Sequence, residues 1–379
     1  MKKTYLAKRG FWRSKIMSQF FYLLAATSLL AFGSCNKNDD DNNGDPTTVI
    51  TPKGQKPAWG PTLTPQMQTV VEKLEFLTDT TPIYKQTVSQ ARLGASAADA
   101  ALGVQIDFNI QTPASNVDTS GVEIPVANGS IHARVYTPKT GKSSYPVIVY
   151  YHGGGFVIAT INTYNSSAQA FAEKTDAVVV SVEYRKAPEY PFPTAHDDAY
   201  AAYLWVLNNG ASIKADTSKI AVAGESAGGN LAAATSMKAA MSGVKVPRYQ
   251  VLVYPVANND TTTASATQYK DAIPLGRMDL TWFYEKYTPN PADGDDPRIS
   301  LVDKANLALM PPTTIIAAEI DPLQTEGKQL ADNMTAAGVT VDYQLYTGVT
   351  HEFFGMNTVI PEAKTAEDHA ASMLKTALQ

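Results

Sequence analysis

A glycine-rich hexapeptide, residues 224–229 (GESAGG), constrains the fold of this chain most because it joins an apolar run to an alanine-rich one. The apolar run 219–223 (KIAVA) predicts a buried strand, and 227–241 predicts a helix. In Gly-x-Ser-x-Gly at such a junction, the serine sits on a tight, strained turn whose small neighbours leave room for the backbone. Ser226 is therefore the candidate nucleophile, although a glycine turn with an idle serine gives the same string.

A second glycine motif lies upstream, where His152, Gly153, Gly154 and Gly155 follow the apolar run 147–151. Glycines in such a loop let the backbone and a ligand approach each other closely. Two glycine turns that both follow apolar runs, in this order, seldom arise together by chance. The pair therefore favours the nucleophile interpretation of Ser226 over the idle turn.

Strands and helices alternate along most of the chain. The predicted strands after the first hairpin are 147–151, 177–182, 220–223, 249–253, 314–318 and 339–345. Helical stretches separate most of them, which predicts an α/β fold with a mainly parallel central sheet and helices on both faces. Before them, 122–126 and 131–136 flank Asn128 and Gly129, a turn typical of an antiparallel hairpin. Both glycine motifs then lie at carboxyl ends of strands, where α/β proteins place their sites.

A serine nucleophile needs a base, and the chain has five histidines. His351 follows the last predicted strand, in a predicted loop at 348–350, where a base can reach a serine presented by another strand. The other four are predicted in structural or solvated positions: His132 in the hairpin, His152 in the glycine loop, His196 at a helix start and His369 in the terminal helix. His351 is thus the candidate base.

A carboxylate is expected as the third member, to hold the imidazole tautomer and stabilise its charged form. Asp321 stands directly after the run 314–320 and before Pro322, whereas the competing Glu319 lies two residues earlier, where we expect the strand to continue. The order serine, aspartate, histidine is the one that α/β-hydrolases use.

At this point the chain resembles the hormone-sensitive lipase-like (bacterial family IV) esterases of the α/β-hydrolase superfamily, over roughly residues 60–379. The stretches that carry the resemblance are HGGGF at 152–156, EYRKAPE at 183–189, FP at 192–193, GESAGG at 224–229, DPL at 321–323, and His351 with Phe353. The resemblance implies an α/β-hydrolase fold in which Asp321 and His351 complete the triad. It also implies a helical cap over the site, from about 58–105 and 258–300.

Two positions need comment against that family. Lys186 stands where these esterases usually have an apolar residue, and we expect this departure to concern packing or the surface. Glu225 stands where the family varies, so it adds little to the assignment.

The resemblance predicts a carboxylic ester hydrolase that works through an acyl-enzyme and needs no cofactor and no metal. Backbone N–H groups of Gly153, Gly154, Gly155 and Ala227 are expected to hold the oxyanion, with Gly154 and Gly155 favoured. Three alternatives stay open: removal of acetyl or aryl-acyl groups from polysaccharide fragments, amide hydrolysis by the same triad, and non-catalytic binding of a small ligand.

Aromatic residues suggest an apolar substrate pocket, and the resemblance implies a small acyl group in it. The candidates are Phe156, Trp282, Phe283 and Phe353. Aromatic residues at helical spacing are, however, more often core than pocket. The sequence indicates no oligomeric state.

The N-terminus is predicted to be an export segment rather than part of the fold. Six basic residues and the apolar run 16–32 precede Gly33, Ser34 and Cys35. This pattern resembles a bacterial lipoprotein signal, with Phe32 bulkier than usual at its position. The corresponding domains are a signal peptide at 1–34, a polar tether at 35–57 and a hydrolase domain at 58–379.

The predicted location is outside the cytoplasm, on the periplasmic or cell-surface side of a bacterial membrane, with a lipid on Cys35 as anchor. An uncleaved N-terminal anchor is the alternative, because the apolar run is close to the roughly 20 residues that span a bilayer. Formal charge is −5, and losing the six basic residues of the leader makes it −11, which disfavours nucleic acid as a partner.

Overall fold

An eight-stranded sheet organises residues 49–78 and 80–379, which are the residues that the computed structural model describes. The strands are β1 (Val117–Val126), β2 (Gly129–Pro138), β3 (Tyr145–Tyr151), β4 (Val178–Val182), β5 (Ala215–Glu225), β6 (Gln250–Val253), β7 (Thr313–Ile320) and β8 (Val341–Thr350). They are arranged in the order β1-β2-β4-β3-β5-β6-β7-β8. The β1–β2 and β2–β4 pairs are antiparallel and all other pairs are parallel, so the predicted mainly parallel sheet with an opening hairpin is confirmed.

Helices cover both faces of this sheet. They are α1 (Pro65–Thr78), α2 (Val88–Leu93), α3 (Ala97–Asp107), α4 (Asn165–Thr175), α5 (Thr194–Asn209), α6 (Ala227–Met241), α7 (Ala264–Gln268), α8 (Arg277–Tyr287), α9 (Leu301–Lys304), α10 (Gln324–Ala336) and α11 (Pro361–Ala377). Within the described ranges, no helix is both long and apolar enough to cross a bilayer.

Alternate side chains of the inner strands enter two separate cores. In β5, Ile220 and Val222 pack into the core on one face of the sheet, whereas Ala221 and Ala223 pack into the core on the other. Successive side chains of a strand point to opposite faces, so a strand buried on both faces must be apolar at every position. This is why the parallel strands appear in the sequence as continuous apolar runs.

Helix α6 has the predicted bounds, whereas β8 extends further than predicted. Residues 348–350, which we expected to form a loop, are the last residues of β8, and Thr350 pairs with Ile320 of β7. The register shifts between Ala318 and Ile320, and Gly348 has a φ of +73° at this irregularity. The glycine therefore marks a bulge inside the strand rather than its end.

Helix α1 begins as the sequence predicts and packs beside β8. The hydroxyl of Thr64 accepts from the backbone N–H of Met67, and Pro65 is the first helical residue. The buried face includes Val70 and Leu74. Leu77, which we also expected on that face, is 41% exposed at the end of the helix.

Candidate active site

The β5–α6 junction holds Ser226 in a conformation that few residues adopt. Its φ is +55° and its ψ is −119°, a strained geometry that the surrounding structure must enforce. A Cβ on Gly224 would lie 2.1 Å from the carbonyl oxygen of Gly228, and one on Gly228 would lie 2.0 Å from that of Tyr151. The turn therefore requires both glycines, and it presents Ser226 at the carboxyl edge of the sheet.

Three side chains from three strand ends form one hydrogen-bonded chain. His351 Nε2 lies 3.0 Å from Ser226 Oγ, and His351 Nδ1 lies 2.7 Å from Asp321 Oδ2. All three side chains are buried. With the proton on Nδ1, His351 donates to Asp321 and leaves Nε2 free to accept the serine proton. This is the geometry of a nucleophile, a base and an orienting carboxylate.

Asp321 and its competitor Glu319 have different partners. The second oxygen of Asp321 accepts from the backbone N–H of Leu323 at 2.8 Å, which fixes the carboxylate toward His351. The Glu319 carboxylate instead accepts from the backbone N–H of Gly348 and from the hydroxyl of Thr62. Glu319 thus ties the β7–β8 bulge to the segment before α1 and takes no part in the triad geometry.

The His351 imidazole has a raised pKa. Burial disfavours its charged form, but the Asp321 carboxylate beside Nδ1 outweighs burial, and Glu352 and Glu225 add to its effect, so the pKa lies above the ordinary value of 6.5. The imidazolium that forms when the base takes a proton is therefore stabilised in place.

Glu225 supports the triad through Tyr254, a role that its sequence position did not predict. It is buried and accepts from the hydroxyls of Tyr150 and Tyr254. Burial raises the pKa of this carboxyl. The Tyr254 ring lies 4.5 Å from the His351 ring, so the Glu225–Tyr254 hydrogen bond fixes a surface against which the base packs. An ionisable residue at the end of an otherwise apolar strand was the available sequence signal.

The other buried histidines are structural, as predicted. His152 stacks on Tyr184 with ring centroids 4.3 Å apart, and burial lowers its pKa to about 4. His196 lies between the Tyr287 hydroxyl at 2.7 Å and Asn230 Oδ1 at 2.9 Å, and burial again lowers the pKa to about 4. Both rings are therefore neutral near pH 7 and shape the site without acting as bases.

The glycine loop lies against the site in a backbone conformation that suits glycine. Gly154 has a φ of +98° and Gly155 a φ of +57°. Both line the cavity that contains Ser226, whereas Gly153 is buried against the Tyr164 hydroxyl. The N–H groups of Gly154 and Gly155 donate to no acceptor among the described residues. The N–H of Ala227, as the first residue of α6, also lacks an intrahelical partner.

Helices α2 and α8 hold this loop from above. A Cβ on Gly155 would lie only 2.2 Å from the Phe283 ring of α8, so the loop backbone rests directly on that ring. Arg92 of α2 donates to the carbonyl oxygen of Val157 at 2.9 Å and to that of Ala187 at 2.7 Å. Two side chains from separate helices thus fix the position of the loop.

A cavity of about 530 Å³ lies between the strand ends and these helices, and Ser226 and His351 line it. Of the predicted pocket aromatics, Phe156 and Phe283 line the cavity. Trp282 and Phe353 do not and are corrected to packing positions. The Trp282 ring packs edge-on against Phe283, and the fully buried Phe353 packs against Tyr254 and Tyr346. Adjacent helical residues point in different directions, so only one of the Trp282–Phe283 pair faces the cavity.

Two remaining expectations concern metals and the N-terminus. Over residues 49–78 and 80–379, no group of three or more His, Cys, Asp or Glu side chains is arranged to hold a metal ion. Cys35, the predicted lipidation site, lies outside the described residues.

Comparisons with known proteins identify the family. A sequence profile for the α/β-hydrolase fold matches residues 148–355, more than half of the chain. The chain is 38% identical to carboxylesterase NlhH of Mycobacterium tuberculosis over 65% of its own length and 79% of that protein. It is 33% identical to the ethyl acetate hydrolase of Pseudomonas putida, over 66% of this chain and 78% of that one.

Solved structures agree with the sequence comparisons. The hyperthermophilic esterase of the archaeon Pyrobaculum calidifontis superposes with a TM-score of 0.75 at 34% identity, covering 83% of this chain and 98% of that one. The fold, the family match and the named activities of these relatives lead to one assignment. The chain belongs to the hormone-sensitive lipase-like esterases of the α/β-hydrolase fold family, and it is a serine carboxylesterase.

Proposed function

We propose that this carboxylesterase hydrolyses short-chain acyl esters through an acyl-enzyme on Ser226. The hydrogen-bonded chain from Asp321 through His351 to Ser226 is the observation that carries the proposal. Ser226 Oγ attacks the ester carbonyl while His351 Nε2 takes its proton. His351 then protonates the leaving alcohol and afterwards activates the water that releases the acid. Asp321 orients the imidazole throughout.

The oxyanion of the tetrahedral intermediate is held by backbone N–H groups of Gly154, Gly155 and Ala227. Gly154 and Gly155 line the cavity beside Ser226, and their N–H groups are free to donate to a substrate oxygen. Removal of one such donor typically costs on the order of 3 kcal/mol of transition-state stabilisation. Gly153, buried against Tyr164, is less suited to this role.

Val256, Leu280 and Phe283 line the cavity with apolar side chains, and the Phe283 ring lies directly over Gly155. We infer that the acyl group binds beside these residues and that the Phe283 ring limits its length. One relative is named an ethyl acetate hydrolase, which is consistent with a small acyl substrate. We therefore infer a preference for acyl chains of about two to four carbons.

The test is a series of p-nitrophenyl esters from acetyl to octanoyl, together with the matching anilides. We expect turnover of the esters to be highest for acetyl to butyryl and much lower for the anilides. No ester turnover combined with tight binding of a small ligand would favour the binding alternative instead. Anilides hydrolysed as fast as the esters would favour the amidase alternative.

We also propose that Cys35 carries a lipid that anchors the enzyme to a bacterial membrane outside the cytoplasm. The support is the basic lead, the apolar run 16–32 and the small residues before a lone cysteine. Mass spectrometry of the enzyme from its native membrane tests this. An N-terminal peptide that begins at a diacylglyceryl-modified Cys35 is expected, and an unmodified Cys35 within an intact leader contradicts the proposal.

A further inference from the structure

Four polar residues that line the cavity with Ser226 are connected through the segment 160–164. They are Thr160, Thr163, Lys186 and Glu352, and we call them the polar wall. We expected Lys186 to act in packing or on the surface. In the structure it lines the cavity, and only 16% of its side chain is exposed. A largely buried lysine side chain beside an ester-binding site needs a chemical explanation.

The two charged members are held in place by partners outside the wall. Lys186 pairs with Glu183, whose other oxygen accepts from the backbone N–H of Ile161 at 2.8 Å. Glu352 accepts from the hydroxyl of Tyr164 at 3.0 Å. An ammonium group has three N–H donors and a carboxylate has two oxygens, so each retains capacity for a ligand. The segment that contains Thr160 and Thr163 is thereby fixed through Ile161 and Tyr164, on both sides.

The two threonines add hydroxyl groups that each accept one backbone hydrogen bond. Thr160 Oγ1 accepts from the backbone N–H of Asn162 at 3.2 Å, and Thr163 Oγ1 accepts from that of Thr160 at 3.3 Å. Among the described residues neither hydroxyl donates to an acceptor, so each proton is available to a ligand. The polar wall combines N–H donors, O–H donors and carboxylate acceptors within one surface.

This combination matches a neutral group with several hydroxyls. A hydroxyl both donates and accepts, so it satisfies Lys186 and Glu352 equally well. A carboxylate ligand would meet the like charge of Glu352. An alkyl group would displace water from Lys186 and Glu352 without filling their remaining hydrogen-bonding capacity, which is costly.

Glu352 is the residue after His351, so one member of the polar wall adjoins the base. His351 must come within hydrogen-bond distance of the leaving oxygen to protonate it, and we therefore expect the alcohol half of the ester beside the polar wall. The apolar lining of Val256, Leu280 and Phe283 remains for the acyl group. The two parts of an ester therefore face two chemically different surfaces.

We infer that the natural substrates are short-chain acyl esters of polyhydroxylated alcohols, such as glycerol or a monosaccharide, whose hydroxyls bind the polar wall. This inference rests on the proposed ester hydrolysis at Ser226. It specifies the alcohol half of the substrate, which the triad geometry leaves open.

The test compares 1-monobutyrin with n-propyl butyrate, which have the same acyl group and the same three-carbon alcohol and differ only by two hydroxyls. We expect kcat/KM for 1-monobutyrin to be at least about tenfold higher, because two substrate hydroxyls gain partners in a site built for them. In Lys186→Met this ratio should fall severalfold, and Lys186→Arg should restore part of it. Lys142→Met is the matched control: it removes an exposed lysine that pairs with Asp176 far outside the cavity lining.

The outcomes separate the inference from the proposed function. Equal kcat/KM for the two butyrates overturns the inference and leaves ester hydrolysis intact. A monobutyrin preference that persists in Lys186→Met and in Thr160→Val/Thr163→Val also overturns it, because the preference would then arise elsewhere. No turnover of p-nitrophenyl butyrate by the wild-type enzyme contradicts the proposed function itself. If Lys186→Met fails to fold, as judged by its thermal unfolding, Lys186→Gln provides the same comparison.

Discussion

The strand ends below the cavity and the helices above it are positioned in different ways: the strand ends by the pairing of the sheet, and the helices by side-chain contacts. Ser226, Asp321 and His351 directly follow β5, β7 and β8, whose carboxyl ends lie at one edge of the sheet. The upper side consists of the segments around α2 and α8, which meet the glycine loop through side-chain contacts between distant parts of the chain. The catalytic groups therefore lie at the strand ends, and we expect substrate choice to depend on the segments above them.

The strongest test of this comparison replaces triad side chains while leaving the residues above the cavity unchanged. Ser226→Ala and His351→Ala should each lower kcat by roughly 10⁴- to 10⁶-fold, because triad members act as a unit. Steady-state turnover of p-nitrophenyl butyrate measures the loss. Ser218→Ala and His132→Ala, at exposed positions, are the matched controls. Near-normal activity in His351→Ala would show that the base is another residue.

Gly155→Ala tests the contact between the two regions. The new Cβ would lie 2.2 Å from the Phe283 ring, so either the loop or α8 must move. We expect kcat to fall by roughly 10²- to 10³-fold, the loss typical of a displaced oxyanion donor. Gly141→Ala is the control, because Gly141 also has a positive φ, +77°, but open space around it. If Gly155→Ala/Phe283→Ala did not recover activity, the clash would not be the cause.

Phe283→Ala should change the preference for acyl-chain length more than it changes kcat for butyryl esters. Removing the ring that limits the apolar side should raise kcat/KM for octanoyl relative to butyryl esters by about tenfold, since each methylene in an apolar pocket is worth a modest factor. Trp282→Ala, at the buried neighbour that does not line the cavity, should lower the free energy of unfolding by about 3 kcal/mol and leave the chain-length profile unchanged. Identical profiles for the two variants would contradict this assignment.

The smallest expected effect is a shift in pH dependence. The base must be neutral to take the serine proton, and the pKa of His351 is raised, so kcat/KM should fall on the acid side at a pH above 6.5. Glu352 helps to raise that pKa, and its loss makes the imidazolium less stable. In Glu352→Gln the acid limb of the pH profile should therefore move to lower pH. A shift toward higher pH would contradict the electrostatic explanation.

The sequence predicted the parallel sheet and the α6 boundaries because both depend on local patterns. Strand runs that are apolar at every position identify a sheet covered on both faces, and GESAGG identifies the strand-to-helix turn. Helix α6, for example, spans Ala227–Met241 in both the prediction and the structure.

Other features depended on contacts that no local pattern contains. The β8 bulge at Gly348 is stabilised by Glu319 from β7, so the sequence alone indicated a loop there. Trp282 and Phe283 are adjacent aromatic residues, and the sequence alone does not show which of them lines the cavity. The orientation of α8 places Phe283 there. We expected Lys186 to act in packing or on the surface because no local pattern shows that it lines the same cavity as Glu352 and Ser226.

Arg92 and Phe283 have a practical consequence for protein engineering. These two side chains connect the segments around α2 and α8 to the loop that must remain aligned for catalysis. A chimaera that exchanges the segments around α2 and α8 for those of another esterase should keep an arginine and an aromatic residue at these two positions. Grafts chosen by that criterion would exchange specificity while retaining the same hydrolytic machinery.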